Sequence, residues 1–276
     1  TQIRFAEKNI ELADWIHGNG FSVPFFVFKQ VAKSYRTEEL LGLLSTKYIY
    51  SKKALENEKL KLIKQDPKNS DYLYENLAYL PRYRNVESAI LIYSEDKNNM
   101  QITYSLLAHS KFNLSSTIVV SLASIEDENL EKYDAIIVGK RLSQEEINIL
   151  SDYSKKGGIV FPDIFNKNLT IEEIFSKFDK QFFEISFKRG RDKLELDAKR
   201  GWIVLSDTFS IYSGWEAKQD KDKLKIYRTN GVISSVYSPK EEKIVFEYRP
   251  KEFYFGELIS MVSLIIACSI FYLKRN

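Results

Sequence analysis

The chain has 276 residues, 44% hydrophobic and 29% charged, with 11 Gly and 6 Pro. This composition excludes a disordered chain, a collagen-like repeat and a protein embedded in a membrane throughout. A formal net charge of +3 does not call for nucleic acid as a partner, and one cysteine excludes an intrachain disulfide or a cysteine-rich zinc site. Aromatic residues are abundant, with 17 Tyr, 18 Phe and 3 Trp. Such a content suits large β surfaces, sugar-stacking faces or a membrane interface.

The chain begins at Thr1 with no signal-peptide pattern and reads as a piece of something longer. Residues 1–53 are expected to form a helical juxtamembrane segment. Ile3, Phe5, Ile10, Leu12 and Trp15 lead into an apolar stretch at 23–28, which contains Pro24 and is too short to span a bilayer. The run RTEELLGLLSTKYIY then reads as a helix capped at Thr37, with Glu38 and Glu39 in its first turn. The charged stretch 52–68 reads as a solvated helix. Residues 54–85 are expected to be a connector whose segment LYENLAYLPRY joins a later β-module.

From Val86 to residue 180 strands and helices alternate. SAILIYS (88–94), TIVVSLA (117–123), DAIIVG (134–139) and GIVFPD (158–163) read as strands; 100–109, 143–155 and 171–178 read as helices. Ser143 followed by Glu146 is a capping-box signature, and Gly157-Gly158 ends that helix in the left-handed region open to glycine. Apolar strands separated by helices predict a small open parallel α/β domain, Rossmann-like in outline. From 181 to 250 the period becomes two. FFEISFKR, DKLELDA, GWIVLSD, WEAKQD, LKIYRT, GVISSVYS and EKIVFEY, with a hairpin signal at Asn230-Gly231, predict an antiparallel β-sandwich.

The run 253–273, FYFGELISMVSLIIACSIFYL, is 21 residues with Glu257 as its only charge, followed by Lys274 and Arg275. As a helix it reaches roughly 30 Å, the thickness of a bilayer core. Phe253, Tyr254 and Phe255 at one end, and Phe271 and Tyr272 at the other, would form aromatic belts. A C-terminal transmembrane helix is therefore expected, in preference to a buried helix of a globular domain; Cys268 inside it is read as a small apolar residue. Lys240, Lys243, Arg249 and Lys251 before the run do not settle its orientation. The sequons at Asn113 and Asn168, both N-glycosylation candidates, are compatible with an extracytoplasmic globular part.

Catalytic signatures are missing. His17 and His109 fall in different regions, and no HExxH, GxSxG or Cys cluster occurs. Ser94-Glu95-Asp96-Lys97 follows the first α/β strand, where a phosphate-binding fold has a glycine-rich turn. No metal or other cofactor is expected. The strand–helix order and the stretch YDAIIVG…GGIVF resemble glutamine-amidotransferase-like domains. The cysteine nucleophile of those enzymes has no counterpart between 86 and 180, so the domain is expected to be non-catalytic. Tyr212, Trp215 and Tyr227 are glycan-binding candidates, since rings near Ser213-Gly214 could stack on a sugar, and Asp220 joins them through the family resemblance described next. The competing reading places Trp202 and Trp215 in the sandwich core.

Several segments together resemble the C-terminal region of YfhO-like polytopic membrane proteins: LLGLLSTKYIYS (40–51), Tyr74-Glu75-Asn76 with Leu80-Pro81-Arg82, Gly214-Trp215 with Asp220, and Tyr248-Arg249-Pro250 before the last helix. The departures are Ser213, where the family often has proline, and Lys221, where it often has glycine. The resemblance implies an extracytoplasmic accessory domain of a GT-C-type membrane glycosyltransferase, whose catalytic carboxylates belong to loops near N-terminal membrane helices. Its expected partners are membrane lipid, the remaining membrane helices or partner subunits, and a lipid-linked sugar or glycan. The alternative is a structural or assembly protein of the cell envelope held by one span.

Overall fold

The computed structural model of the chain describes residues 4–5, 36–67, 70–161, 175, 181–210 and 214–275. Among these the fold is mixed α/β and rich in strands, with three β-sheets and four α-helices. The expected apolar stretch at 23–28 and most of the expected helix at 171–178 lie outside the described residues.

The N-terminal part holds a four-stranded sheet in the order β1-β2-β4-β3, formed by β1 (Arg4–Phe5), β2 (Tyr48–Ser51), β3 (Leu60–Asp66) and β4 (Asp71–Asn76). Helix α1 (Thr37–Leu43) precedes β2 and buries Leu40, Leu41 and Leu43. It stops well short of the expected Tyr50, because Ser45 turns into the left-handed region at φ 58° and frees the β-favouring Tyr-Ile-Tyr to pair as a strand. Nor does Thr37 cap it. Arg36 occupies the N-cap position and bonds the Glu39 carboxylate instead.

Where a solvated helix is expected at 52–68, residues 52–59 form irregular turns and Leu60–Asp66 the edge strand β3, antiparallel to β4 with an irregularity between Leu62 and Lys64. Its density of lysines suits an edge strand as well as a helix, because an edge strand must discourage pairing with other chains. The YEN segment lies on β4 in this small sheet.

After the LPR segment, β5 (Tyr83–Val86) enters a nine-stranded sheet with β6 (Ser88–Tyr93), β7 (Thr117–Leu122), β8 (Ala135–Val138) and β9 (Ile159–Phe161). Strands β6 to β9 are mutually parallel in the order β7-β6-β8-β9. Central β6 is buried at every position, as a strand covered on both faces should be. Helix α2 (Asp96–Ala108) covers one face through Tyr104, Leu106 and Leu107, packed with Ile90 and Ile92. Helix α3 (Gln144–Lys155) covers the other through Leu150 and Tyr153, packed with Leu91 and Tyr93. The capping box at Ser143 and Glu146 is present, and Gly157 has a φ of 96° just past the helix end.

The remaining strands divide between two sheets. β10 (Phe182–Glu184), β13 (Gly201–Leu205), β16 (Tyr227–Thr229) and β17 (Ile233–Ser238) join the nine-stranded sheet, ordered β10-β5-β13-β17-β16 and then β7. β11 (Phe187–Arg189), β12 (Lys193–Asp197), β14 (Trp215–Gln219), β15 (Asp222–Leu224) and β18 (Lys243–Tyr248) form a five-stranded sheet ordered β11-β12-β18-β14-β15. FFEISFKR and LKIYRT each read as one strand, yet each crosses from one sheet to the other, as corner-forming segments of packed sheets do.

The two sheets face each other across Tyr83, Ile203, Leu205 and Val236 on one side and Leu194, Leu196, Ala217, Ile244 and Phe246 on the other. The parallel strands and half of this packed pair are thus one continuous sheet. Trp202 on β13 belongs to the same core as Leu91, Ile136 and Leu150, and its indole N–H donates to the Lys132 carbonyl at 3.0 Å. From β18 the chain passes through Arg249-Pro250 into α4 (Lys251–Arg275).

Candidate functional site

Open parallel sheets bind ligands beyond the carboxyl ends of their strands, where the strand order reverses. That point lies here at β6, between β7 and β8. It is filled. Gly139 packs so closely against α2 and β6 that a Cβ there would stand 2.5 Å from Ile102 Cδ1 and 2.8 Å from Ser94 Oγ. Ser94 is buried and donates to the Gly139 carbonyl at 3.1 Å. On the β7 side, Asn99 donates to the Ser94 carbonyl and Thr103 to the Asn99 carbonyl, and Thr103 lies 3.3 Å from Ser121 Oγ.

On the β8 side, Lys140 donates to Glu146 Oε1 at 2.8 Å and to the Tyr93 hydroxyl at 3.0 Å. Tyr93 donates to the same carboxylate, and the Ser143 amide donates to Glu146 Oε2 at 2.6 Å. These bonds, from Lys140 first, hold the Glu146 carboxyl down at about 2 and push the Lys140 ammonium up. Neither group exchanges a proton near neutral pH, so the cluster is an ionic clasp rather than an acid–base pair. In the sequence Glu146 reads only as a helix cap; Tyr93 meets it from across the fold and Lys140 from just upstream, and neither carries a local signal.

A second ionic cluster sits under the junction of the parallel and antiparallel strands. Glu128 is nearly buried and accepts from Tyr133 and Tyr227 at 3.0 Å each, and from Lys225 at 2.9 Å. It also pairs with Lys132, whose ammonium lies 4.6 Å from the Tyr227 ring centroid and 5.6 Å from that of Trp202. Burial works against the Glu128 carboxylate, but the bonds from Lys132 and Lys225 outweigh it and hold the group below its ordinary value. Burial also lowers Lys132. An aromatic cage of this kind can hold a cation from outside; here it is occupied by the chain's own lysine.

The glycan-binding candidates do not converge. Tyr212 lies outside the described residues. Tyr227 is buried in the cluster just described. Trp215 stacks on Phe209 at 4.0 Å and contacts Tyr248 at 5.3 Å, packed against the core between the sheets. Asp220, exposed at φ 52°, forms the turn after β14, about 16 Å along the strand from Trp215. Of the sequon residues, Asn113 turns its Oδ1 onto the Ser115 and Ser116 amides, while Asn168 lies outside the described residues. Among the described residues no group of three or more His, Cys, Asp or Glu could hold a metal ion.

At the end of the packed sheets from which α4 departs, Arg82, Arg189, Lys193 and Arg249 gather, each ion-paired to Asp207, Glu195 or Glu247. The Tyr248 amide donates to the Asp192 carbonyl at 2.9 Å, and the Arg249 amide to the Gly214 carbonyl at 2.6 Å. These bonds place the β11–β12 turn beside the start of the helix. There Arg82 grips Asp207 through Nε at 3.3 Å and through a second nitrogen, and Arg189 approaches both oxygens of the same carboxylate at 3.4 Å. Arg189 also donates to the Tyr83 hydroxyl at 2.6 Å, and burial pushes that phenol up to about 12. Two half-exposed guanidiniums thus share one buried carboxylate.

Behind them Arg84 is fully buried and its Nε and one terminal nitrogen have no hydrogen-bond partner; burial lowers it to about 10. The clue in the sequence was RYR inside a strand otherwise destined for the core.

Helix α4 runs 25 residues, about 37 Å. Every side chain described on it is exposed, including Phe253 at 66%, Leu264 at 65% and Phe271 at 69%. The expected span at 253–273 is thus helical, and its described side chains are unpacked. The side chains at 251, 254, 267 and 272–275 lie outside the described ones, and among the described residues no helix is long and apolar enough to cross a membrane. No family model and no curated protein sequence matches the chain.

Proposed function

We propose that this chain is the membrane-held, non-catalytic accessory part of a YfhO-like, GT-C-type membrane protein. Its globular part lies outside the cytoplasm and positions a glycan or a protein partner at the bilayer surface. The observation that carries the reading is the exposure of α4. A helix bearing Leu258, Ile259, Leu264, Ile265, Ile266 and Ile270 with at least half of each exposed needs another apolar medium to cover it. The full run 253–273 has the length and composition to use lipid for that purpose. The filled crevice beside β6 and the saturated ionic clusters support a role in binding and placement rather than chemistry.

The test has two parts. The chain should float with liposomes and resist alkaline carbonate, whereas an L264R/I265R variant should be released. Excising residues 37–250 from the complete protein should abolish glycosyl transfer in membranes while the purified domain shows none. Carbonate release of the unsubstituted chain would overturn the membrane part, and undiminished transfer without the domain would overturn the accessory role.

A further inference from the structure

The turn between β11 and β12 combines a charge pattern with a location that the anchoring role does not by itself require. Residues 187–193, FKRGRDK, contain four basic side chains and one acid, and all seven residues are exposed. Phe187 is 51% exposed and packs edge-on against Tyr83 at 4.7 Å. The bond from the Tyr248 amide to the Asp192 carbonyl holds this turn two residues from Pro250, where α4 is about to begin. A chain of three residues spans at most about 11 Å, so the turn stays close to the base of the apolar helix. Arg82 and Arg189 sit at the same end, sharing Asp207.

We propose that this end of the domain is a docking surface for anionic phospholipid, with Lys188, Arg189, Arg191 and Lys193, joined by Arg82, facing the phosphates around the point where α4 enters the bilayer. The proposal rests on the membrane reading of α4 and adds to it a lipid class and the residues that recognise it. Cationic side chains held within a Debye length of an anionic surface are attracted to it, each by roughly a fivefold gain in partition. Phe187 and Tyr248, both exposed beside these charges, are ring types that settle at the head-group level. The guanidiniums supply forked donors that match phosphate oxygens. An acidic protein surface would use the same charges, but would not place them around an apolar helix.

The experiment uses the full chain with Cys268→Ala and Gly190→Cys, carrying an environment-sensitive dye on the new thiol. A Cβ at position 190 would lie 3.6 Å from the Lys193 carbonyl oxygen and 4.0 Å from Lys193 Cβ, ordinary contact distances, so the substitution should not disturb the turn. The chain is reconstituted into nanodiscs of phosphatidylcholine alone or with one-third phosphatidylglycerol, containing a head-group quencher. Quenching should be strong in the anionic discs, weak in the neutral ones, and lost in 0.5 M salt. K188Q/R191Q removes two charges that make no described ion pair; it should lower apparent affinity for anionic discs roughly 25-fold, while K188R/R191K restores it.

Equal quenching in neutral and anionic discs, or none in either with α4 resistant to carbonate, would overturn the lipid surface and leave the anchor standing. Should carbonate release the chain, the anchor fails separately. Salt-sensitive sedimentation with phosphatidylglycerol vesicles then still supports the docking surface, and its absence overturns that as well.

Discussion

Asn230 and Val119 exchange two hydrogen bonds. The Asn230 amide donates to the Val119 carbonyl at 2.8 Å, and the Val119 amide donates to Asn230 Oδ1 at 2.8 Å. Asn230 is buried at φ 49° in the turn between β16 and β17, where asparagine is among the few side-chain-bearing residues that fit easily. Together with the single pair Thr229–Val120, it welds the antiparallel half of the large sheet to the parallel half.

Replacing Asn230 by glycine keeps the backbone conformation but leaves the Val119 amide buried without its acceptor. This should cost about 1–3 kcal/mol in urea unfolding and accelerate hydrogen exchange at Val119. Alanine should cost about 1 kcal/mol more through the left-handed backbone. A glycine variant as stable as the parent, with unchanged Val119 exchange, would show that the seam carries no weight.

Carboxylates held below their ordinary values, Glu146 and Glu128 among them, make stability depend on acid. For Glu146, ordinarily at 4.5 and native at about 2, the native state binds the proton less readily than the unfolded chain. Its contribution is therefore complete above about pH 4.5 and is lost as the pH falls toward 2; Glu128 acts in the same direction. The urea midpoint should hold steady from pH 7 to 5 and fall below that. E146Q should flatten the fall at the cost of about 1 kcal/mol at pH 7. K132M, which leaves the buried Glu128 with Lys225 as its cation, should cost about 3–5 kcal/mol. A midpoint independent of pH down to 3 would contradict the assignment.

Arg84 should be replaceable at a gain. Its guanidinium is wholly buried, with no carboxylate partner among the described residues, and bonds the Pro81 carbonyl at 3.3 Å and Ser206 Oγ at 3.5 Å. Its native value lies below the unfolded one, so at neutral pH the charge opposes folding. R84M keeps most of the volume and removes the charge and two unpartnered nitrogens; it should raise stability by about 1–3 kcal/mol. A loss of similar size in thermal or urea unfolding would mean that the arginine has an anionic partner in the assembled protein.

Gly214 fixes the exit to α4. Its φ is 98°, and a Cβ there would lie 2.8 Å from Pro250 Cα. G214A should therefore cost about 2–4 kcal/mol, combining left-handed strain with a backbone clash, and should weaken the bond between Arg249 and Gly214. Exchange of the Arg249 amide is the local readout; unchanged protection would exclude this close approach.

Elements with strictly local causes could be read from the residues. The capping box at Ser143, the left-handed Gly157 and the apolar run of β6 each follow from a few neighbouring positions. The pairing of strands does not. Alternation in LKIYRT shows that successive side chains face opposite ways, but not that Lys225 and Ile226 carry the chain from the five-stranded to the nine-stranded sheet. The lysines of β3 suggested a helix because charge spacing there is shared by a solvated helix and a sheet edge. At the candidate sites the difficulty was the same. Trp215 and Tyr227 looked like neighbours around one turn, yet each fills a different core, and Arg82, Arg189 and Asp207 meet only because two sheets fold over each other.

The strand that leads into α4 has a mechanical meaning. β18 is the middle strand of its sheet, laddered to β12 on one side and β14 on the other, and it leads into the helix across Arg249-Pro250. Tension on α4 along the strand axis therefore loads both ladders in shear, so many backbone bonds must yield together. A domain tethered in this way resists being pulled open by drag or by a partner's motion, and transmits such forces to the helix as a rigid lever.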